Sequence, residues 1–438
     1  MFEEHSFLAK ILDLVRKIIP RTVFEFFQPW YHGVLALSGA IIFGWPSSKL
    51  KVIGVTGSKG KSTTVFLISR FLEEAGYGVA SIGSLGFRIV GEAGSEATVG
   101  RGRSPLRVLL EWPNNLKMTM PGRWKIQKFL AQAVRAGCQF AVLEITSEGI
   151  KQKRHLGLKF DAAVFTNLEK EHIESHGSFE KYYQAKQELF KRTKNIHILN
   201  ADSEFVNLFS KFPARKKLFY SLRNYPDLRS HLRGDFNKSN ILVATETVKN
   251  YNIDLETIQK ALDKIKSIPG RFEFIDVGRP FKVVIDYAHT PGSLEAVYKT
   301  LKESLKFKNL KLICVLGAAG GGRDRWKRPI FGQLAENYCD KIILTNEDPY
   351  DEPPEKIINE VEAGINDGTK VEKIIDRREA IKKALTLAQK NDIVVITGKG
   401  SETSIAVKGG KKIPWSDKGV VLELLNPATL SSGVKENG

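Results

Sequence analysis

Residues Gly57–Thr63 read GSKGKST. Two glycines let successive backbone N–H groups turn toward one anion, with a lysine and hydroxyls beside them. A buried-strand pattern, Val52–Val55, leads into this turn, and a helix-like segment, VFLI, follows it. The turn therefore sits at a helix N-terminus, where the dipole favours negative charge. The chemistry is phosphate binding. Gly57, Ser58, Lys59, Gly60, Lys61, Ser62 and Thr63 form the cradle, Lys61 reaches the β- and γ-phosphates, and Ser62 can ligate Mg²⁺. The strict pattern G-x-x-x-x-G-K-[ST] asks for Gly where Val55 stands, so the loop is a shortened variant. An ordinary Gly-rich turn is the weaker alternative, because the strand–turn–helix context is present.

Three further residues have suggestive positions. Glu144 ends the apolar strand FAVLE, where a phosphate-loop enzyme keeps a carboxylate for Mg²⁺. His172 follows another strand end, in FTNLEKEH, and Lys186 lies in the amphipathic FEKYYQAKQELF. Taken singly, a histidine is more often structural and a lysine more often solvated. The loop alone does not separate a kinase, a motor, a switch and a ligase.

The elements that must position these residues are legible. A chain of 438 residues should hold two or three domains. Residues 1–47 read as one or two helices, including FLAKILDLVRKII, ended by Trp45-Pro46. Over 48–268, apolar strands (KVIGVTG, FAVLEIT, DAAVFTN, NIHILNAD) alternate with helical segments. SIPGRFEFI marks a boundary, and a second α/β series fills 269–426 (KVVIDYAH, LKLICVLGAAGGGRD, CDKIILTNEDP, NDIVVITGKGSE). Residues 427–438 read as a disordered tail. The expected fold is α/β: a P-loop central domain with a mainly parallel sheet, a C-terminal Rossmann-like α/β domain and a short helical N-terminal segment. Ligands then gather at the strand carboxyl ends.

Bulk composition excludes some classes. Cys138, Cys314 and Cys339 show no metal spacing and read as buried thiols of a reducing cytosol. The net charge of +18 suits anionic partners, but no basic run with interleaved aromatics points to nucleic acid. MFEEHSFLAK lacks the basic start of a cleavable signal peptide. Residues 30–45, WYHGVLALSGAIIFGW, are too few to span a bilayer. They read first as a buried helix and second as a membrane-surface anchor.

The chain resembles the Mur ligase family over about residues 50–425, with the MurE type the nearest pattern. The resemblance rests on TGSKGKST, EITS, FTNLEKEHIESHG, YYQAKQELF, LNAD, GDFNKSN, IPGRFE, DYAHTPGSLE, GGGRDRWKRP and GKGSE. It implies a cytoplasmic, ATP-dependent peptide ligase of peptidoglycan precursor synthesis. Such an enzyme adds a diamino acid to UDP-N-acetylmuramoyl-L-Ala-D-Glu through an acyl phosphate. It implies ATP and Mg²⁺ as cofactors, with Ser62, Glu144, His172 and the carbamate on Lys186 as metal ligands. Lys186 matches the lysine that family members carry as a carbamate. Asn237, Arg271 and Asp286 match nucleotide contacts. Thr119, Thr146, Gln152 and Arg154 match contacts to the acceptor. Arg323, Gly398 and Glu402 match contacts to the incoming amino acid. A monomer is expected, with a nucleotide-linked or lipid-linked peptide acceptor and a free amino acid as partners. Because two anions react, a cationic cleft is expected, drawing on the +18.

The chain departs from the pattern in three places. Only about 47 residues precede the loop domain, where the MurE type has a further domain that grips uridine. An acceptor that is lipid-linked or lacks UDP is therefore the alternative. The motif D-N-P-R reads Glu347-Asp348-Pro349-Tyr350. Its arginine pairs with the distal carboxylate of diaminopimelate in the family. Tyr350 cannot form that pair, and Asp348, Asp351 and Glu352 favour the distal ammonium of L-lysine. Thr146-Ser147-Glu148 replaces S-S-H, and Ser401 replaces a histidine. A catalytically silent nucleotide-binding module is the non-enzymatic alternative.

Overall fold

A computed structural model describes residues 21–92, 106–114, 118–171, 173–305 and 311–426. The FLAKILDLVRKII helix, His172 and the polar tail lie outside these residues.

The first sheet holds β1 (Lys51–Thr56), β2 (Val79–Gly83), β3 (Gly86–Glu92), β4 (Leu106–Trp112), β5 (Phe140–Glu144), β6 (Ala162–Phe165), β7 (Ile196–Asn200) and β8 (Lys216–Tyr220). Its order is β4-β3-β2-β5-β1-β6-β7-β8. The pairs from β2 through β8 are parallel, and β3 and β4 add an antiparallel edge. Val52, Ile53 and Val55 of central β1 are fully buried, as a strand covered on both faces requires.

Helices flanking this sheet include α1 (Arg21–Ile42), α2 (Lys61–Glu74), α3 (Arg123–Arg135), α4 (Phe179–Arg192) and α5 (Asp235–Lys249). Val65, Ile68 and Phe71 of α2 pack with Ile241, Ala244 and Val248 of α5 on one face. Phe129, Leu130 and Ala133 of α3, with Leu189 and Phe190 of α4, cover the other.

The second sheet comprises β9 (Glu273–Ile275), β10 (Lys282–Asp286), β11 (Leu312–Leu316), β12 (Lys341–Leu344), β13 (Val371–Lys373) and β14 (Ile393–Thr397). Its order is β13-β12-β11-β14-β10-β9, parallel except for β9. A hairpin of β15 (Ser404–Ala406) and β16 (Lys412–Pro414) follows. The α/β fold of the sequence reading is the fold observed.

Two expectations are corrected. Helix α1 lies on the first domain, but it is not a buried helix. Its small residues face inward: Ala40 meets Gly157, and Gly39 approaches Trp124 and Gln127. Its large ones face out, with Trp30 73% and Ile41 63% exposed. Hydropathy alone does not say which apolar stripe is turned to the protein. The cysteines are also not three thiols: Cys314 on β11 and Cys339 before β12 form a disulfide, with Cα atoms 6.1 Å apart. The parallel β11–β12 pairing brings these chain-distant residues into bonding range. Cys138 remains free and buried, and burial pushes its thiol up to about 12.

Thiol titration of the denatured, unreduced protein should find one reactive thiol per chain, rising to three after reduction. Three before reduction would contradict the pairing.

Candidate functional site

The loop between β1 and α2 is held from behind. Gly57 has φ 150° and Gly60 has φ 77°. A Cβ on Gly57 would overlap the Thr166 hydroxyl, and one on Gly60 would overlap Asn240 Oδ1. The hydroxyl of Thr166 donates to the Lys59 carbonyl at 2.7 Å, and Asn167 Oδ1 accepts from the Lys59 N–H at 2.8 Å. Thus the first residues after β6 clamp the loop. Lys61 opens α2, so Lys61, Ser62 and Thr63 lie in a first helical turn whose N–H groups lack intrahelical partners. Lys61 Nζ donates to the Ser58 carbonyl at 2.7 Å.

Glu144 ends β5 beside this loop. Its Oε2 accepts from the Ser62 hydroxyl at 3.0 Å and from the Ser84 N–H at 2.9 Å. Lys186, on α4, points beneath the loop. Its Nζ donates to the Gly57 carbonyl at 2.7 Å and lies 4.5 Å from the Tyr182 ring centroid. Burial, with Lys61 nearby, holds its pKa well below the ordinary lysine range, although Glu171 and Glu144 oppose the shift. Glu171 is also buried, and burial pushes its carboxyl up while Lys61 counters it.

A cleft of about 950 Å³ runs over the loop between the two sheets' strand ends. It is lined by Ser58–Thr63, Glu144, Thr119, Thr146, Gln152, Arg154, Asn237, Arg271, Asp286, Arg323, Asp348, Tyr350 and Glu402. Gly57 and Lys186 lie under its floor. Glu347, Pro349 and Gly398 stand behind its wall, and Glu347 is buried.

The far walls show how individual positions are held. Asn237 Nδ2 donates to the Arg233 carbonyl at 2.8 Å. Asp286 accepts from the N–H groups of Phe272 and Ala288, both at 2.6 Å, and burial raises its pKa. Its carboxylate therefore fixes the turn after β10. Arg271 stacks over Tyr287 at 4.3 Å. Thr146 caps the short helix Ser147–Lys151, and Thr119 shares a hydrogen bond with Ser84 at 3.1 Å. Gln152 Oε1 accepts from Arg154 at 2.6 Å, and Arg154 also donates to the Met120 carbonyl.

At the C-terminal end, Arg323 donates to the Tyr350 hydroxyl at 2.9 Å and lies over its ring. Buried Lys399 is shared by Asp348 at 3.0 Å and by Glu402. Asp351 accepts from the Gly409 N–H at 2.9 Å, and Glu352 pairs with Arg328 at 3.0 Å. These last two carboxylates are committed to the fold.

The expected cationic cleft is not observed. Among the described residues its lining carries five Lys and Arg against nine Asp and Glu. Net charge counts the whole chain, and here the surplus lies elsewhere. Sequence reasoning missed Thr166, Asn167 and Asn240, which hold the loop. Thr166 and Asn167 belong to the quoted FTN stretch, so a signal was present.

Comparison with known proteins identifies the family of both α/β domains. A model described as the Mur ligase middle domain matches residues 55–229, and one described as the Mur ligase glutamate ligase domain matches 270–400. The UDP-N-acetylmuramoyl-L-alanyl-D-glutamate–2,6-diaminopimelate ligase of Clostridium tetani is 34% identical over 420 residues, covering 89% of this chain and 81% of that protein. The enzyme of the same name from Aquifex aeolicus is 37% identical over 415 residues, covering 89% and 80%. A solved structure of a ligase of this name aligns with TM-score 0.54 at 31% identity, covering 86% of this chain and 78% of that one. The folylpolyglutamate synthase of Mycobacterium tuberculosis, solved with ADP and AMPPCP, shares the fold at TM-score 0.62 and 16% identity, covering 83% and 92%. The chain belongs to the Mur ligase family of ATP-dependent ligases, and it has close relatives of the MurE type.

Proposed function

We propose that this ligase activates a carboxylate of a UDP-N-acetylmuramoyl-dipeptide acceptor and joins it to a diamino acid, in the cytoplasm and as a monomer. The observation that carries this is the convergence of Lys61, the Ser62–Glu144 pair and buried Lys186 on one loop. The domain limits 48–268 and 269–426 go with this proposal. The acceptor then lies along Thr119, Thr146, Gln152 and Arg154, the nucleotide against Asn237, Arg271 and Asp286, and the amino acid at Arg323 and Glu402.

Ser62 and Glu144 fit Mg²⁺: a hydroxyl and a carboxylate 3.0 Å apart are hard oxygen donors. No group of three or more His, Cys, Asp or Glu suited to a metal stands among the described residues, so phosphate and water oxygens would complete the shell. When bound, Mg²⁺ neutralises charge on the transferred phosphoryl group. In a cleft rich in carboxylates that contribution is essential. Lys186 is held toward its neutral amine, the form that adds CO₂ to give a carbamate and a proton. The carbamate would add one more oxygen ligand beside Glu144.

The chemistry follows in two steps. An acceptor carboxylate oxygen attacks the γ-phosphorus, the bond to the bridging oxygen breaks, and ADP leaves. The backbone N–H groups of the loop and Lys61 hold the phosphates in line. The incoming amine then attacks the acyl carbon, phosphate leaves and the nitrogen loses a proton. Arg323 suits the amino acid's carboxylate, as a guanidinium fork does. Lys399 is shared between Asp348 and Glu402, so that trio keeps one negative charge. With Tyr350 in place of an arginine, that excess favours a distal ammonium, hence L-lysine over meso-diaminopimelate.

Three results test this. Purified protein with ATP and Mg²⁺ should release phosphate only when both an acceptor and an amino acid are present. An acceptor without UDP outperforming the UDP-linked one would overturn the acceptor assignment. Under the same conditions L-lysine should give several-fold higher kcat/KM than meso-diaminopimelate; the reverse order would refute the amino-acid assignment. Lys186→Ala should lower turnover at least about 100-fold, with partial rescue by short-chain carboxylic acids. Unchanged turnover would remove Lys186 from the site.

A further inference from the structure

Over residues 30–42 both faces of helix α1 are largely apolar, and Trp30, Val34, Leu37 and Ile41 are outside. Gly33, Ala36 and Ala40 face the body of the protein, against Leu156 and Gly157. Trp30, Val34, Leu37 and Ile41 are spaced four, three and four residues apart, so they form one stripe along the helix. They are 73%, 66%, 44% and 63% exposed. Trp45, just past the helix end, and Trp124 of α3, which donates to the Ser38 hydroxyl, are also partly exposed on this side. A helix stabilised only by its own domain would turn its large side chains inward.

The surroundings identify the partner. Residues 21–50, 121–135 and 151–160 build this side of the molecule. They contain ten Lys and Arg and one acidic residue, Glu25. Lys49, Lys128 and Lys159 are exposed there. Of these basic residues only Arg154 is among those lining the catalytic cleft, so most of the surplus is left outside it. Two copies meeting through this face would bring like charges together. No helix among the described residues is long and apolar enough to cross a membrane. An apolar stripe with tryptophans, bordered by lysines, fits a helix lying in the headgroup region of an anionic bilayer.

We infer that the α1 face docks this enzyme onto anionic lipid as a peripheral contact. Gly157 packs on α1 only three residues beyond Arg154, which lines the cleft. Docking therefore brings that wall of the cleft close to the bilayer. The inference stands independently of the acceptor and amino acid assigned above.

Co-sedimentation of the full chain with vesicles tests it. Vesicles of phosphatidylglycerol and phosphatidylcholine should pellet the protein at least tenfold better than phosphatidylcholine alone, and added salt should reduce the effect. A Val34→Asp/Ile41→Asp variant should lose binding while keeping its melting temperature and nucleotide affinity. Lys128→Glu/Lys159→Glu, which spares the apolar stripe, should weaken binding to anionic vesicles. No pelleting of the wild type would overturn the inference. So would a dimer in solution abolished by Val34→Asp/Ile41→Asp, or wild-type binding that appears only when residues 1–20 are removed.

Discussion

A lysine ammonium removed from water must find compensation or give up its proton. Lys186 meets that constraint under the phosphate loop. Its nitrogen has the Gly57 carbonyl at 2.7 Å and the Tyr182 ring below, while Lys61 discourages a second positive charge. The loop's shape and the lysine's protonation are thus set by the same packing. Tyr182 shares a hydrogen bond with the Ser58 hydroxyl at 3.0 Å, which ties α4 directly to the loop.

The distribution of charge gives the molecule two distinct ends. The cleft concentrates carboxylates, so the positive potential at the loop comes from Lys61 and the helix N-terminus rather than from a general positive field. The positive surplus lies on the outside, in part around α1. In the C-terminal domain, buried ionic groups act as fixtures. Arg377 holds Asp417 through two 2.8 Å bonds and donates to the Thr397 carbonyl at 2.9 Å. Those contacts anchor the end of β14, from which the Gly398–Glu402 loop starts.

The strands, the parallel sheets and the loop were legible in the sequence because they depend on local pattern. KVIGVT followed by GSKGKST needs only its own residues to be recognised. Glu144 was legible because it ends an apolar strand. Partnerships across the fold were not. Nothing near Cys314 announces Cys339, and nothing near Asp351 or Glu352 says that Gly409 and Arg328 already engage them. The outward turn of Trp30 and Ile41 was hidden for the same reason: an apolar residue is read as buried until its neighbours are known. The clamp formed by Thr166, Asn167 and Asn240 is a matter of tertiary proximity to Gly57 and Gly60.

The proposed reaction requires that one loop, backed by Lys186 and flanked by Glu144, holds a metal-bound triphosphate. Calorimetric titration with a non-hydrolysable ATP analogue tests it most directly. Saturable, Mg²⁺-dependent uptake of one nucleotide per chain, abolished by Lys61→Ala, is the result expected. Absence of uptake, or uptake indifferent to both Mg²⁺ and Lys61, would contradict the account.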